Sequence, residues 1–220
     1  MNAKVEDVKQ GGVFLYDTQK WGYLGEAHGG AFAIREDSVK LMPFTEGDTK
    51  NYAESDVFNY IKDNYIDLLT GEYLERTVNL MAANEDTAYG TITTKAAPLT
   101  EAELTEYREV IPGTKEWWWL VTAESCEESY IGAAYMHNIK VGGSDNSIHG
   151  VEGDAQKLGV RPAVVIKNGE IVEAEKDQLH WICSLCQYWS GGKCTNTQSP
   201  KYDETTAGDD SCDNWEYKGV

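Results

Sequence analysis

The sequence predicts an α+β protein with a larger N-terminal domain and a small C-terminal cysteine-rich module. Residues 13–16 and 31–34 are short apolar runs with glycines close by, a pattern typical of β-strands joined by turns. Between residues 55 and 69, apolar side chains recur at the spacing of a helix face. Four of the five cysteines lie between Cys183 and Cys212. The first two observations predict a mixed domain, and the third predicts a separate module, too small to depend on a hydrophobic core alone.

Both predicted helices have recognisable first residues. Ser55 precedes the first apolar pattern and can accept a hydrogen bond from an amide of the first turn, while Gly71 lies just past the helix end. Thr100 and Glu103 have the spacing of a capping box, in which each side chain accepts a hydrogen bond from the backbone amide of the other residue. We therefore expect one helix over residues 55–69 and a second that starts at Thr100.

The domain boundary is predicted from composition. Residues 172–178 form a short charged stretch, which favours a linker or a short connecting helix. We therefore divide the chain into a domain over residues 1–172, a linker over residues 173–180 and a module over residues 181–220. Just before the linker, Asn168-Gly169 lies between apolar residues, which predicts a β-hairpin with a type I′ turn.

The charge of this acidic chain excludes two classes of partner. Lys and Arg number 19 against 37 Asp and Glu, so the formal net charge is −18. Such a surface repels phosphate backbones and anionic lipid, and we expect no nucleic-acid partner. No apolar run approaches the roughly 20 residues that span a bilayer, and residues 1–12 lack the apolar core of a signal peptide. The sequence thus predicts no membrane insertion, no signal peptide, and a location in the cytoplasm or in a virion.

Three sequence pieces occur in an order that resembles a known domain family. They are Leu-Thr-Glu-Ala-Glu-Leu-Thr-Glu-Tyr at residues 99–107, Trp-Trp-Trp-Leu at 117–120 and Gly-Val-Arg-Pro-Ala-Val-Val at 159–165. With the helix after Ser55, they resemble an uncharacterised bacterial and phage domain family that ends in a Gly-Val-Arg-Pro-Ala strand. That family is similar to the C-type-lectin-like fold, which includes formylglycine-generating enzymes and the variable ligand-binding proteins of diversity-generating retroelements. The resemblance covers roughly residues 50–172.

The resemblance implies a compact β core that displays a long irregular segment, here residues 122–158. This segment is rich in the polar and aromatic residues that adaptable recognition surfaces use. The expected ligand is a protein or a glycan. The residues expected to bind it are Tyr130, Tyr135, His137, Asn138, Asp145, Asn146 and His149. The alternative interpretation is a solvated loop without a ligand.

The resemblance does not extend to catalysis. Formylglycine-generating enzymes use a pair of cysteines near the substrate groove, whereas this domain contains only Cys126. We interpret Cys126 as a small buried hydrophobic residue and expect a protein that is not an enzyme. Arg161 is expected to be structural and to pair with a buried carboxylate or with carbonyls. Pro162 is expected to put its strand at a sheet edge or a bulge.

The C-terminal cysteines are candidate metal ligands. Cys183 and Cys186 are separated by two residues, a spacing that lets both sulfurs bind one metal ion, and Cys194 and Cys212 complete four ligands. Aromatic residues are frequent around these cysteines, and dry aromatic surroundings stabilise iron–sulfur clusters. These aromatic residues are Trp181, Tyr188, Trp189, Tyr202, Trp215 and Tyr217.

The spacing of these cysteines also resembles the small high-potential-type iron–sulfur modules on accessory subunits of glycyl-radical enzymes. This resemblance covers about residues 181–217 and implies a [4Fe–4S] cluster. Zinc is the alternative metal, and two disulfides are a third interpretation, which requires an oxidising compartment.

Together these patterns predict a non-catalytic ligand-recognition protein with a structural metal centre. We expect it to be a phage or prophage virion component that forms a homo-oligomer or joins a larger assembly. The alternative is an iron–sulfur accessory subunit of a larger redox or radical enzyme.

Overall fold

Strands make up most of the regular secondary structure, and short helices connect some of them. The computed structural model describes residues 1–126, 130–135, 147–152, 154, 156–180, 186, 188–190 and 193–195. The α-helices are α1 (Asp56–Tyr60) and α2 (Glu101–Tyr107). The predicted mixed α+β class is therefore confirmed. In chain order the strands are β1 (Asn2–Lys4), β2 (Val13–Tyr16), β3 (Gln19–Ala27), β4 (Gly30–Arg35), β5 (Lys40–Met42), β6 (Tyr73–Leu74), β7 (Arg76–Asn79), β8 (Thr91–Thr94), β9 (Ala96–Ala97), β10 (Trp117–Ala123), β11 (Tyr130–Tyr135), β12 (Ser147–Glu152), β13 (Leu158–Val160), β14 (Ala163–Ile166), β15 (Ile171–Ala174), β16 (Trp189–Ser190) and β17 (Lys193–Cys194).

The larger sheet is built around a meander of consecutive strands. Its order is β1-β15-β2-β3-β4-β14-β6, and β9 also pairs with β14. The meander β2-β3-β4 turns at Asp17-Thr18 and at His28-Gly29, and the four φ angles are 52°, 62°, 55° and 86°. Positive φ at both central positions is the pattern of a type I′ turn, whose twist matches that of the strands it joins.

The smaller sheet carries the segment predicted to bind a ligand. Its order is β12-β11-β10-β13-β5. β10 pairs in parallel with β13 through Trp118 and Gly159, and the other neighbours are antiparallel. The short hairpins β7-β8 and β16-β17 lie outside both sheets.

Side chains from both faces of β4 are buried. Ala31 and Ala33 belong to one hydrophobic cluster, and Phe32 and Ile34 belong to another, since successive side chains of a strand point to opposite faces. Residues of α1 pack in the first cluster and residues of α2 in the second. Because both faces of the sheet are covered at β4, residues 31–34 are all apolar and do not alternate between apolar and polar.

The first helical segment changes type along its length. The Ser55 hydroxyl accepts a hydrogen bond from the Phe58 amide at 3.0 Å and donates one to the Tyr52 carbonyl at 2.8 Å. After α1, the backbone continues as a π-helix over Ile61–Tyr65 and a 3₁₀-helix over Ile66–Leu68. The predicted helix and its cap are thus confirmed in position, although only the first part is an α-helix.

The second helix starts as predicted. Thr100 Oγ1 accepts a hydrogen bond from the Glu103 amide at 3.1 Å, and the Glu103 carboxylate accepts one from the Thr100 amide at 2.8 Å. This reciprocal pair is the predicted capping box. Among the described residues, no helix is long and apolar enough to cross a bilayer.

The hairpin predicted at Asn168-Gly169 is wrong. β14 pairs with β4, β6 and β9, whereas β15 pairs with β1 and β2, so the strands on either side of this turn do not pair with each other. Gly169 has a φ of 89° and Asn168 has no positive φ. Positive φ at the second central position alone is characteristic of a type II turn.

Residues 173–180 are held against the larger sheet. β15 extends into this stretch, and a 3₁₀-helix over Lys176–Gln178 follows it. Leu179 is buried and forms a β-bridge with Val8, while the side-chain oxygen of Gln178 accepts a hydrogen bond from the Val13 amide at 3.0 Å. These residues are an ordered part of the sheet surface rather than a free connection. The division of the chain after residue 180 stays a prediction.

Candidate ligand-binding and metal sites

The segment predicted to bind a ligand contains an antiparallel hairpin at the edge of the smaller sheet. β11 pairs with β10 on one side and with β12 on the other, and the register runs from Tyr130 opposite Glu152 to Tyr135 opposite Ser147. The prediction that residues 122–158 are irregular is therefore wrong for these two strands. Glycine and alanine between the two tyrosines weaken the strand signal in the sequence, and the pairing with β10 overrides it.

The hairpin separates the predicted ligand residues into two groups. Tyr130 and Tyr135 lie at opposite ends of β11, about 17 Å apart along the strand. His149 lies on β12, opposite Ala133. Four further predicted residues belong to the stretch 136–146, which joins β11 to β12 and lies outside the described residues. They are His137, Asn138, Asp145 and Asn146.

The strand that supports this hairpin is deeply buried. Trp118 and Trp119 of β10 have no exposed surface. The Trp119 indole N–H donates a hydrogen bond to the Met42 carbonyl at 2.9 Å, and its ring lies edge-on to Phe44 with centroids 5.5 Å apart. These two tryptophans therefore fix the base of the hairpin and cannot themselves contact a ligand.

Arg161 has the structural role that the sequence predicts. It is fully buried, and its guanidinium donates hydrogen bonds to the carbonyls of Arg35 at 2.6 Å and Pro112 at 2.7 Å. It also lies over the Trp118 ring, 5.3 Å from the centroid. Burial lowers the pKa of Arg161 to about 9, so the side chain stays charged at neutral pH. Pro162 does not put its strand at an edge, because β14 has partners on both sides and Pro162 precedes its first residue, where no ladder amide is lost.

Two of the four candidate metal ligands belong to the described residues, and both are buried. Cys186 and Cys194 expose 4% of their surface each. Cys194 lies on β17, opposite Trp189 of β16. Cys186 belongs to the same hydrophobic cluster as the core of the larger sheet, and Tyr188 packs against that cluster. Cys186 and Tyr188 are thus packed against the core of the first domain.

The remaining two candidate ligands, Cys183 and Cys212, lie outside the described residues. Within the described ranges there is no group of three or more side chains that could hold a metal ion. The thiol of Cys194 is free. The interpretation in which all four cysteines form two disulfides therefore does not correspond to this structure.

Cys126 is partly exposed, not buried as the sequence suggests, and its surroundings disfavour the thiolate. Desolvation and a hydrogen bond with the Asp86 side chain raise the pKa of the Cys126 thiol. A thiol with a raised pKa is largely protonated at neutral pH and is a poor nucleophile. This environment favours a structural role for Cys126.

The structure contains a buried ion-pair cluster that the sequence does not predict. The Arg76 side chain on β7 is fully buried and donates a hydrogen bond to the Glu103 carboxylate at 2.5 Å and two weaker ones to the carbonyls of Ala97 and Pro98. Nε2 of His28 lies 3.4 Å from the same carboxylate. Burial would raise the pKa of Glu103, but the hydrogen bond from His28 and the charge of Arg76 lower it.

This cluster joins β7, the turn after β3 and the first turn of α2. Its carboxylate already accepts hydrogen bonds from neighbouring protein groups, so its evident role is structural. The sequence shows Glu103 only as a capping residue, because its other partners are distant along the chain.

The β11-β12 hairpin and the buried pair Cys186 and Cys194 are thus the described parts of the two candidate sites. No family model, curated protein or solved structure matches this chain.

Proposed function

We propose that this protein is a non-catalytic ligand-recognition protein whose β11-β12 hairpin, with the stretch that joins its strands, contacts a protein or a glycan. The register of the hairpin carries this proposal. Because Tyr135 lies opposite Ser147, the two strand ends that border residues 136–146 lie side by side in the sheet. Most of the candidate contact residues therefore belong to one connection on a sheet with a buried base. Binding residues are commonly found on such connections, since the scaffold positions them and the connection is free to vary.

A C-type-lectin-like fold is part of the same proposal. The mixed, strand-rich architecture is compatible with it, and both signature pieces lie in sheet interiors: Trp-Trp-Trp-Leu in β10 and Gly-Val-Arg-Pro-Ala across β13 and β14. The resemblance of these pieces to a bacterial and phage domain family extends the proposal to a phage or prophage virion component. In a virion the chain would act as a homo-oligomer or within a larger assembly.

Alanine substitution of Tyr130, Tyr135 and His137 tests the recognition surface. We expect the triple variant to lose binding to a glycan array and to immobilised bacterial envelope, with an unchanged melting temperature. A control variant carries alanine at Lys62, Asp63 and Leu68, which are exposed on the helical segment after α1, and should bind like the wild type. Binding that survives the hairpin substitutions would show that the proposed surface is wrong.

We also propose that Cys183, Cys186, Cys194 and Cys212 hold a [4Fe–4S] cluster, with zinc as the alternative metal. The burial of Cys186 and Cys194 supports this proposal, because shielding from solvent stabilises such clusters and tunes their potential. Four cysteines form a complete ligand set, so the centre would be structural or would carry electrons, without an open position for substrate.

Protein purified without oxygen distinguishes these metals. A cluster gives iron, sulfide and an absorbance near 400 nm that dithionite bleaches, whereas zinc gives colourless protein. Cys194→Ser should lose the metal, and Cys126→Ser should retain it. Wild-type protein without either metal would exclude the centre.

The alternative function, an iron–sulfur accessory subunit of a larger redox or radical enzyme, is favoured by the same buried cysteines. It predicts a cluster that cycles reversibly between two oxidation states while the protein stays folded. In the recognition proposal the hairpin variant loses function and the cluster is needed only for stability. In the accessory-subunit alternative, Cys194→Ser loses electron transfer and the hairpin variant retains it.

A further inference from the structure

We propose that a cleft beside α2 binds a basic segment of a partner protein through its Lys and Arg side chains. The cleft has a volume of about 580 Å³ and lies between the chain that follows β7 and one side of α2. This volume falls within the range of small-ligand sites. Within the ranges that the structure describes, no residue that lines the cleft belongs to the β11-β12 hairpin or to the cysteine segment. The proposal therefore does not depend on either of those sites.

The floor of the cleft is apolar and adaptable. Met81, Ala82, Ala83 and Ala102 line it, and Met81 is 38% exposed. Methionine has a flexible, polarisable side chain that fits partners of different shapes. Such a floor matches the aliphatic stems of Lys and Arg, which lie along apolar surfaces while their charged ends reach polar groups.

The rim of the cleft is acidic. Glu85, Glu101 and Glu106 line it, and among the described residues no Lys, Arg or His does. Within the part of the chain that the structure describes, none of these three carboxylates takes part in an ion pair. The nearby Glu103, in contrast, is neutralised by Arg76. Charge complementarity therefore selects a cationic occupant. The cations of this occupant would pair with carboxylates that have no cationic partner within the described fold.

Two observations favour a basic segment over an anion or a single metal ion. The Glu101 amide, which an anion would need as a donor, already donates to Thr122 Oγ1 at 2.9 Å. The described carboxylates include no group arranged to hold a metal ion. Separated carboxylates around an apolar floor are instead suited to several cationic side chains on one extended segment.

The carboxylate of Glu85 can be removed without a change in the local backbone. Glu85 has a φ of 68°, in a turn closed by a hydrogen bond from the Ala82 amide to the Asp86 carbonyl at 2.9 Å. Asparagine adopts this left-handed conformation more readily than glutamate. Glu85→Asn should therefore remove the carboxylate and keep the turn.

The binding test uses a fluorescein-labelled peptide with three Lys or Arg residues alternating with Ala, and an analogue with Gln at those three positions. Anisotropy titration at 50 mM and 300 mM NaCl gives both affinities. We expect binding of the basic peptide only, weakened by salt, with amide NMR shifts confined to residues around the cleft. Each removed carboxylate should weaken binding by about two- to fivefold, as is usual for exposed charge pairs.

Matched variants separate the cleft from the general acidity of the protein. One variant combines Glu85→Asn, Glu101→Gln and Glu106→Gln. The control combines Asp63→Asn, Asp67→Asn and Glu75→Gln, which removes equal charge from exposed positions elsewhere. The cleft variant should bind at least about eightfold more weakly while the control stays within twofold. Equal weakening in both variants, or equal binding of the Gln analogue, would overturn the proposal. The hairpin variant should bind the peptide normally.

Discussion

At the scale of single residues, Glu103 joins parts of the chain that are distant in sequence. Its carboxylate accepts hydrogen bonds from the Thr100 amide and from the fully buried guanidinium of Arg76. Glu103→Gln keeps a side chain that can cap α2, but it leaves the buried charge of Arg76 without an opposite charge. Removing one member of a buried pair costs about 3 kcal/mol or more. We expect urea denaturation at pH 7 to show this loss, with a change below about 0.5 kcal/mol for the exposed control Glu109→Gln.

The same carboxylate makes stability depend on pH. Because its pKa is lowered in the folded protein, its contribution is complete above the unfolded value of about 4.3 and is lost as the pH falls through the lower folded value. The difference in unfolding free energy between the wild type and Glu103→Gln should therefore shrink between pH 5 and pH 3. A difference that stays constant over this range would mean that the carboxylate charge is not what stabilises the cluster.

At the scale of elements, the turn between β2 and β3 carries a conformational cost. Thr18 is exposed and has a φ of 62°, which is unfavourable for a β-branched residue. Glycine adopts this conformation without strain, although it also makes the unfolded chain more flexible. We expect Thr18→Gly to stabilise the protein by about 0.5–1 kcal/mol.

The control for this prediction is Thr93→Gly, at an exposed position of β8 where φ is not positive. Glycine should destabilise the protein there, because it weakens a strand interior. Thermal denaturation measures both effects. If both substitutions destabilise the protein to a similar degree, Thr18 is not strained in its turn.

Elements with local signals are predictable from this sequence, and elements that depend on distant pairing are not. The caps at Ser55 and Thr100 are correct because each side chain bonds to an amide three residues away. The Asn168-Gly169 hairpin fails because the same dipeptide also suits other turns, and only the choice of partner strands decides between them. The π-helical turn over Ile61–Tyr65 has no distinct signal in the side-chain pattern.

At the scale of the whole molecule, the order of strands is the least predictable feature. β15 lies between β1 and β2, and β14 lies between β4 and β6, so strands from the end of the domain pair with strands from its beginning. The candidate site is difficult to predict for the same reason. The sequence suggests a loop at Tyr130 and Tyr135, whereas pairing with β10 makes them part of a strand. The burial of Cys186 against the larger sheet likewise depends on contacts far along the chain.

The net charge of −18 acts on the whole molecule and makes its stability depend on salt. Folding brings these charges together, and exposed ion pairs such as Lys20–Glu36 at 3.4 Å and Lys167–Glu72 at 3.6 Å compensate little of the repulsion. Salt screens the repulsion, since the Debye length falls from about 30 Å at 0.01 M to about 3 Å at 1 M. A gain of about 1 kcal/mol would raise the melting temperature of a chain of this size by about 2–4 °C.

We therefore expect thermal denaturation at pH 7 to give a melting temperature higher by that amount in 500 mM NaCl than in 10 mM NaCl. KCl at equal ionic strength should give the same rise, because screening does not depend on the identity of the cation. A rise that occurs with only one of the two salts would indicate binding of a specific ion. A melting temperature that falls with salt would mean that exposed attractive pairs such as Lys20–Glu36 and Lys167–Glu72 outweigh the repulsion among the surface carboxylates.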